Sequence, residues 1–131
     1  MTESSRNNQE VDQFILEEID SVPHLEALLL LWNSRPAVWT TEELAKRLYV
    51  DTGVGRVLVE DLARKRLIAP VPGVPEQYRY QSLSEEKDLL IGRLDLIYRR
   101  EVVRISNMIH SKPSSAVRDF ARAFRFTKER D

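Results

Sequence analysis

The sequence contains no cysteine, which excludes disulfides, thiolate nucleophiles, iron–sulfur ligation and cysteine-bound zinc. Its two histidines, His24 and His110, stand in neither a His-x-x-x-His nor a Glu-x-x-His spacing, so no local pair of metal ligands arises. The four glycines, Gly53, Gly55, Gly73 and Gly92, build no phosphate loop, because Leu58 occupies the place where Gly53-Val54-Gly55 would need a third glycine. The adjacent acids Glu17-Glu18 and Glu85-Glu86 point to different helix faces and are not poised to share a proton. These absences lead us to expect no enzyme, no cofactor and no metal.

Long apolar runs are also missing. The longest, Ala27 to Trp32, is six residues, far below the roughly 20 needed to span a bilayer. Met1 to Glu10 lacks the basic-then-apolar pattern of a secretory signal. The expectation is a cytoplasmic protein that makes no membrane contact.

Net charge is scarce as well: 20 basic and 21 acidic side chains leave a formal −1. The distribution is less even than the total. Residues 1–20 carry six acids and one base, whereas residues 99–130 carry nine bases and three acids. Such a basic third can face phosphates or pair with the acidic first helix.

What the chain does have, over 131 residues with 42% hydrophobic and 31% charged side chains, is the makeup of one integrated globular domain. Residues 1–8 read as a disordered lead. Val11, Phe14, Ile15 and Ile19 form one helical stripe. Ser21 caps a second helix, with Pro23 in its first turn, whose leucines are apolar around most of its circumference and therefore central to the core. Ala37 to Trp39 is extended, and Thr40 with Glu43 forms a capping box that starts a third helix. Asp51 or Thr52 caps a fourth, with Val54, Val57, Leu58 and Leu62 expected to face inward. Arg66 to Ile68 leads into a strand, a loop with Pro70, Pro72, Gly73 and Pro75 follows, and Tyr78 to Tyr80 returns as a second strand. Ser84 to His110 is expected as one long helix, and Ser114 or Ser115 opens a last one reaching Phe124.

The order over residues 21–80 is that of a winged helix–turn–helix. The stretches Trp39-Thr-Thr-Glu-Glu-Leu-Ala-Lys-Arg-Leu-Tyr-Val-Asp51 and Val57-Leu-Val-Glu-Asp-Leu-Ala-Arg-Lys-Arg-Leu-Ile68 resemble the two central helices and first wing strand of bacterial winged-helix regulators. With its flanking helices, the whole resembles a MarR- or PadR-type transcriptional regulator. The resemblance implies a mainly α fold with a small β-hairpin wing, residues 9–81 forming the N-terminal helix and winged module and residues 82–131 the dimerisation helices.

It also implies duplex DNA as partner, with helix 52–65 in the major groove. Thr52, Gly53, Gly55, Arg56 and Val59 are then at the bases, and Lys46, Arg47, Arg64 and Lys65 at phosphates. A homodimer interface is expected from Ile91, Leu94, Tyr98, Val102, Ile105, Met108, Ile109, Phe120 and Phe124. Two features depart from the pattern. Glu60 and Asp61 lie on or beside the reading helix, and the wing tip from Ala69 to Gln77 has no lysine or arginine. A winged helix that instead binds another protein through apolar Val71 and Val74 of the wing is the alternative reading.

Overall fold

A computed structural model of the protein describes residues 2–112, with side chains from residue 8 onward. The expected last helix, with Phe120, Phe124 and the basic residues around them, lies outside the described residues.

Helix α1 (Thr2–Glu18) turns Val11, Phe14 and Ile15 inward as one stripe, which Ile19 continues just past the helix end. It begins at Thr2, so residues 2–8, expected as a disordered lead, are helical here. Helix α2 (Val22–Asn33) starts where the Ser21 hydroxyl accepts from the His24 N–H at 3.3 Å, with Pro23 in the first turn. Its Leu25, Leu28 and Leu31 are wholly buried and the helix touches every later helix and the sheet. This is the consequence expected of apolar residues around most of its circumference.

Strand β1 (Trp39–Thr40), helix α3 (Thr41–Leu48), helix α4 (Thr52–Arg64), strand β2 (Ile68–Pro70) and strand β3 (Gln77–Tyr80) follow in the expected order. The sheet is antiparallel in the order β1-β3-β2, with Trp39 opposite Tyr78 and Ile68 opposite Tyr80. The prolines that keep the β2–β3 loop from pairing leave it as a wing tip, closed by Gly73 at φ 74° and Glu76 at φ 63°. The Thr41 N–H donates to the Glu76 carbonyl at 3.1 Å and ties the end of this tip to the start of α3.

The long C-terminal helix is broken in two. Helix α5 (Glu85–Arg100) and helix α6 (Val102–His110) meet at Glu101, whose φ of −131° and ψ of 47° leave the helical region. Glu101 is the one polar residue in the apolar seam, and a straight helix would carry its carboxylate into the core. With the backbone opened there, Glu101 accepts from Arg104 Nε at 2.7 Å, and the same guanidinium reaches Asp12 of α1.

The seam expected as a dimer interface belongs to the core of the single chain. Ile91, Leu94, Ile105 and Ile109 are buried under α1 and α2, and Tyr98 and Met108 are half-buried against them. Of the described residues assigned to the interface, Val102 alone is exposed. The apolar residues that α5 and α6 leave in water are Leu89, Leu96, Val102 and Val103.

Candidate nucleic-acid interface

Helices α3 and α4 form the helix–turn–helix. The capping box closes as the sequence specifies: Thr40 accepts from the Glu43 N–H at 3.0 Å, and Glu43 accepts from the Thr40 N–H at 2.9 Å. That reciprocal bond, led by the backbone contact to Thr40, holds the Glu43 carboxyl below its ordinary value. The turn that follows places Tyr49 in the left-handed region at φ 58°, and Asp51 caps α4 by accepting from the Val54 N–H at 2.8 Å.

The rotation of α4 differs from the expected one. Gly55, Leu58, Val59 and Leu62 face inward, so Gly55 and Val59, assigned to bases from the sequence, are in the core. Val54 and Val57, assigned to the core, are exposed, Val57 to 53%. The reason is steric: a Cβ at Gly55 would stand 2.9 Å from the Cβ of Ala45, so the missing side chain lets α3 and α4 approach there. A stripe judged from side-chain apolarity alone counts two valines as core and overlooks the glycine. The outward row is Gly53, Val57, Glu60 and Arg64, with Val54 and Arg56 on its flanks and Thr52 at the helix start.

Arg56 does not point free. Its guanidinium donates to Glu76 of the wing at 3.3 Å, both side chains being at least half exposed. Lys46 is exposed with an ion pair to Glu42 at 3.6 Å, and Arg64 pairs with Asp61 at 3.1 Å. Arg47 is exposed on α3 and lines a cleft shared with Glu26 and Tyr98. Lys65, assigned to phosphate from the sequence, turns the other way: its ammonium donates to the Glu18 carbonyl at 2.6 Å and to Asp20 at 3.2 Å.

No family model and no curated protein matches the sequence. Solved structures do match the fold over nearly the whole chain. One is a MarR family protein from Bacillus stearothermophilus, at 19% identity and a TM-score of 0.51, covering 97% of this chain and 86% of that one. Another is MepR, a transcription regulator of the Staphylococcus aureus multidrug efflux pump MepA, at 19% identity, a TM-score of 0.51, and 98% and 90% coverage. A MepR variant bound to an oligodeoxyribonucleotide matches at 18% identity and a TM-score of 0.50, with 98% and 90% coverage. The fold is a MarR-like winged helix.

Within this MarR-like frame the wing is anchored at its base. Tyr80 meets Trp32 edge-on, with ring centroids 5.0 Å apart and planes at 78°, and Arg35 lies 3.4 Å over the Trp32 ring. The Tyr80 hydroxyl donates to Asp88 of α5 at 2.7 Å, and Ser82 donates to the same carboxylate at 2.5 Å. Burial, reinforced by the bond to Asp88, pushes the Tyr80 phenol above its ordinary value. The Ser82 bond, followed by that from Tyr80, holds the Asp88 carboxyl below its own.

A polar cluster with no short-range signal in the sequence joins α2 to α4. His24 Nε2 lies 2.8 Å from Asp61 Oδ2 and His24 Nδ1 lies 2.6 Å from the Ser21 hydroxyl. Asp20 completes a set of three potential ligand atoms within 4.8 Å of one another, beside the Lys65 ammonium. Asp61 is therefore occupied and half-buried, so of the two acids flagged on the reading helix only Glu60 faces outward.

Part of the basic stretch 99–130 pairs with the acidic head of the same chain. Arg104 lies 3.1 Å from Asp12, and Arg93, just ahead of that stretch, lies 3.7 Å from Glu10. Lys112 donates to the Ile15 carbonyl at 3.1 Å and to the Ile19 carbonyl, at the negative end of the α1 dipole. Among the described residues, no helix is long and apolar enough to cross a membrane.

Proposed function

We propose that the protein is a DNA-binding regulator of transcription that lays α4 in the major groove. The observation carrying this reading is the outward row Gly53, Val57, Glu60 and Arg64 with Arg56 at its edge, on a helix backed by α3. The MarR-like fold supports it, as does the oligodeoxyribonucleotide bound by a MepR variant of the same fold.

The revised contact set is Thr52, Gly53, Val54, Arg56, Val57 and Glu60 at bases, with Lys46, Arg47 and Arg64 at phosphates. Arg56 leaves Glu76 on binding. An exposed ion pair contributes only about 0–1 kcal/mol, whereas a bidentate guanidinium–guanine contact is worth about 1–3 kcal/mol, so the exchange favours DNA. The single negative charge of the wing tip, Glu76, is then left beside the duplex, and wing contacts to phosphate come from no residue between Ala69 and Gln77.

A homodimer is part of the proposal, with its interface relocated. Leu89 and Leu96 lie seven residues apart along α5, Val103 follows beyond the break on α6, and the three are exposed to 56%, 55% and 73%. These residues, together with Val102, replace the buried seam as the surface offered to a second copy. Two copies place two α4 helices about 34 Å apart on a palindromic site.

The test is fluorescence anisotropy of labelled genomic duplexes at about 50 and 200 mM salt, where a phosphate-gripping protein loses orders of magnitude in affinity. The protein-binding alternative keeps one supporting observation, the 39% exposure of Val74 on a wing tip without a cation. It is selected instead if no duplex binds at low salt and a protein partner is lost on Val74→Asp.

A further inference from the structure

The chemistry of the outward row on α4 is unusual for a surface meant to grip a polyanion. Its centre is Val57, exposed to 53%, and one turn further on stands Glu60, exposed and, among the described residues, without a hydrogen bond or ion pair. The one cationic fork at the edge, Arg56, is engaged by Glu76. Val57 and Glu60 themselves, an aliphatic group and a free acceptor, carry no donor for guanine, whose major-groove edge presents only the acceptors N7 and O6, and leave that base to Arg56.

Pyrimidines present the opposite edge. Thymine carries a C5-methyl group, to which an aliphatic side chain packs, and cytosine carries an N4 amino donor, which a carboxylate accepts. Adenine also has an amino donor, but its neighbouring N7 lone pair repels a carboxylate, whereas cytosine sets no acceptor beside its N4 in the groove. Three helical residues advance about 4.5 Å, close to one base step of about 3.4 Å, a spacing at which Val57 and Glu60 can reach neighbouring bases of one strand.

We propose that α4 reads a pyrimidine step, Val57 packing on the C5-methyl of a thymine and Glu60 accepting from the N4 amino group of an adjacent cytosine. This inference rests on the DNA-binding reading and adds to it the class of sequence recognised. Gly53 ahead of Val57 keeps that side of the helix low, and Val54 on the flank supplies a second aliphatic contact.

The experiment uses the full chain and the tightest duplex selected from random genomic fragments. Each thymine is exchanged for deoxyuridine, which removes the methyl group and leaves base pairing intact. Wild-type protein is expected to lose about fourfold in affinity at the thymine that meets Val57, the equivalent of about 0.8 kcal/mol for one buried methyl-sized group. Val57→Ala, a change at an exposed site that leaves the fold intact, is expected to bind thymine and deoxyuridine duplexes alike. Glu60→Gln is expected to accept adenine where the wild type requires cytosine, because an amide pairs with adenine N6 and N7. Binding that is tight but indifferent to every deoxyuridine exchange overturns the pyrimidine reading and leaves DNA binding standing. Sensitivity that persists in Val57→Ala overturns it equally. Failure of every duplex to bind at low salt overturns both.

Discussion

A Cβ placed on Gly55 would stand 2.9 Å from the Cβ of Ala45 and 3.4 Å from the Thr41 carbonyl oxygen. This single close approach sets the spacing of α3 and α4 and decides which side of α4 faces out. Gly55→Ala gains about 1 kcal/mol in helix propensity but forces the two helices apart, a strain of about 1–3 kcal/mol. A net loss is expected in the urea midpoint, and Gly55→Ala should cost less when it is made in an Ala45→Gly background than in the wild type. If it costs the same in both backgrounds, the contact is not what spaces the helices.

The close approach also explains what the sequence showed and what it hid. The capping box at Thr40, the Ser21 cap, the mostly apolar α2 and the proline-broken wing were legible because each is a local pattern with a local cause. The rotation of α4 was not, since it depends on a glycine meeting an alanine on another helix. The break at Glu101 was half legible, as a polar residue within an apolar seam. The pairing of His24 with Asp61 and of Lys65 with α1 was illegible, because no short-range spacing encodes contacts between residues so far apart.

The proposed dimer surface separates two residues that the sequence alone would treat alike. Leu94 is fully buried within one chain, whereas Val103 is exposed to 73%. Leu94→Ala should destabilise the fold by about 2–5 kcal/mol in chemical denaturation. Val103→Asp should leave the circular dichroism spectrum unchanged and shift the light-scattering mass towards that of the monomer. A Val103→Asp protein that stays dimeric removes α6 from the interface.

The Tyr80–Asp88 bond gives the anchoring of the wing a pH signature. The folded chain holds the Tyr80 proton more tightly than the unfolded chain, so this contribution is complete below the ordinary value of 10.0 and fades as the pH rises beyond it. Asp88 acts at the other end: held low chiefly by Ser82, it contributes fully above 3.8 and loses its contribution as the pH falls below that. Tyr80→Phe should cost about 1–2 kcal/mol at pH 8. In urea titrations the gap between variant and wild type should narrow above pH 10, and a gap that stays constant would exclude the phenol as its source.

Arg56 and Lys46 should differ in kind. Arg56→Ala removes a base contact and is expected to relax sequence preference, with about 1–3 kcal/mol less discrimination at one position. Lys46→Ala removes a phosphate contact and should weaken all duplexes alike, lowering the salt slope by about 1. Glu76→Gln frees the Arg56 guanidinium, so its affinity for the selected duplex should rise. Equal effects of Arg56→Ala on all sequences would remove Arg56 from the bases.

Whether α4 meets DNA at all decides the function most directly. Anisotropy of a labelled genomic duplex pool, titrated with the full chain at about 50 and 200 mM salt, measures this. The expected result is submicromolar binding at the lower salt that weakens by orders of magnitude at the higher. No change in anisotropy with any duplex at about 50 mM salt contradicts it.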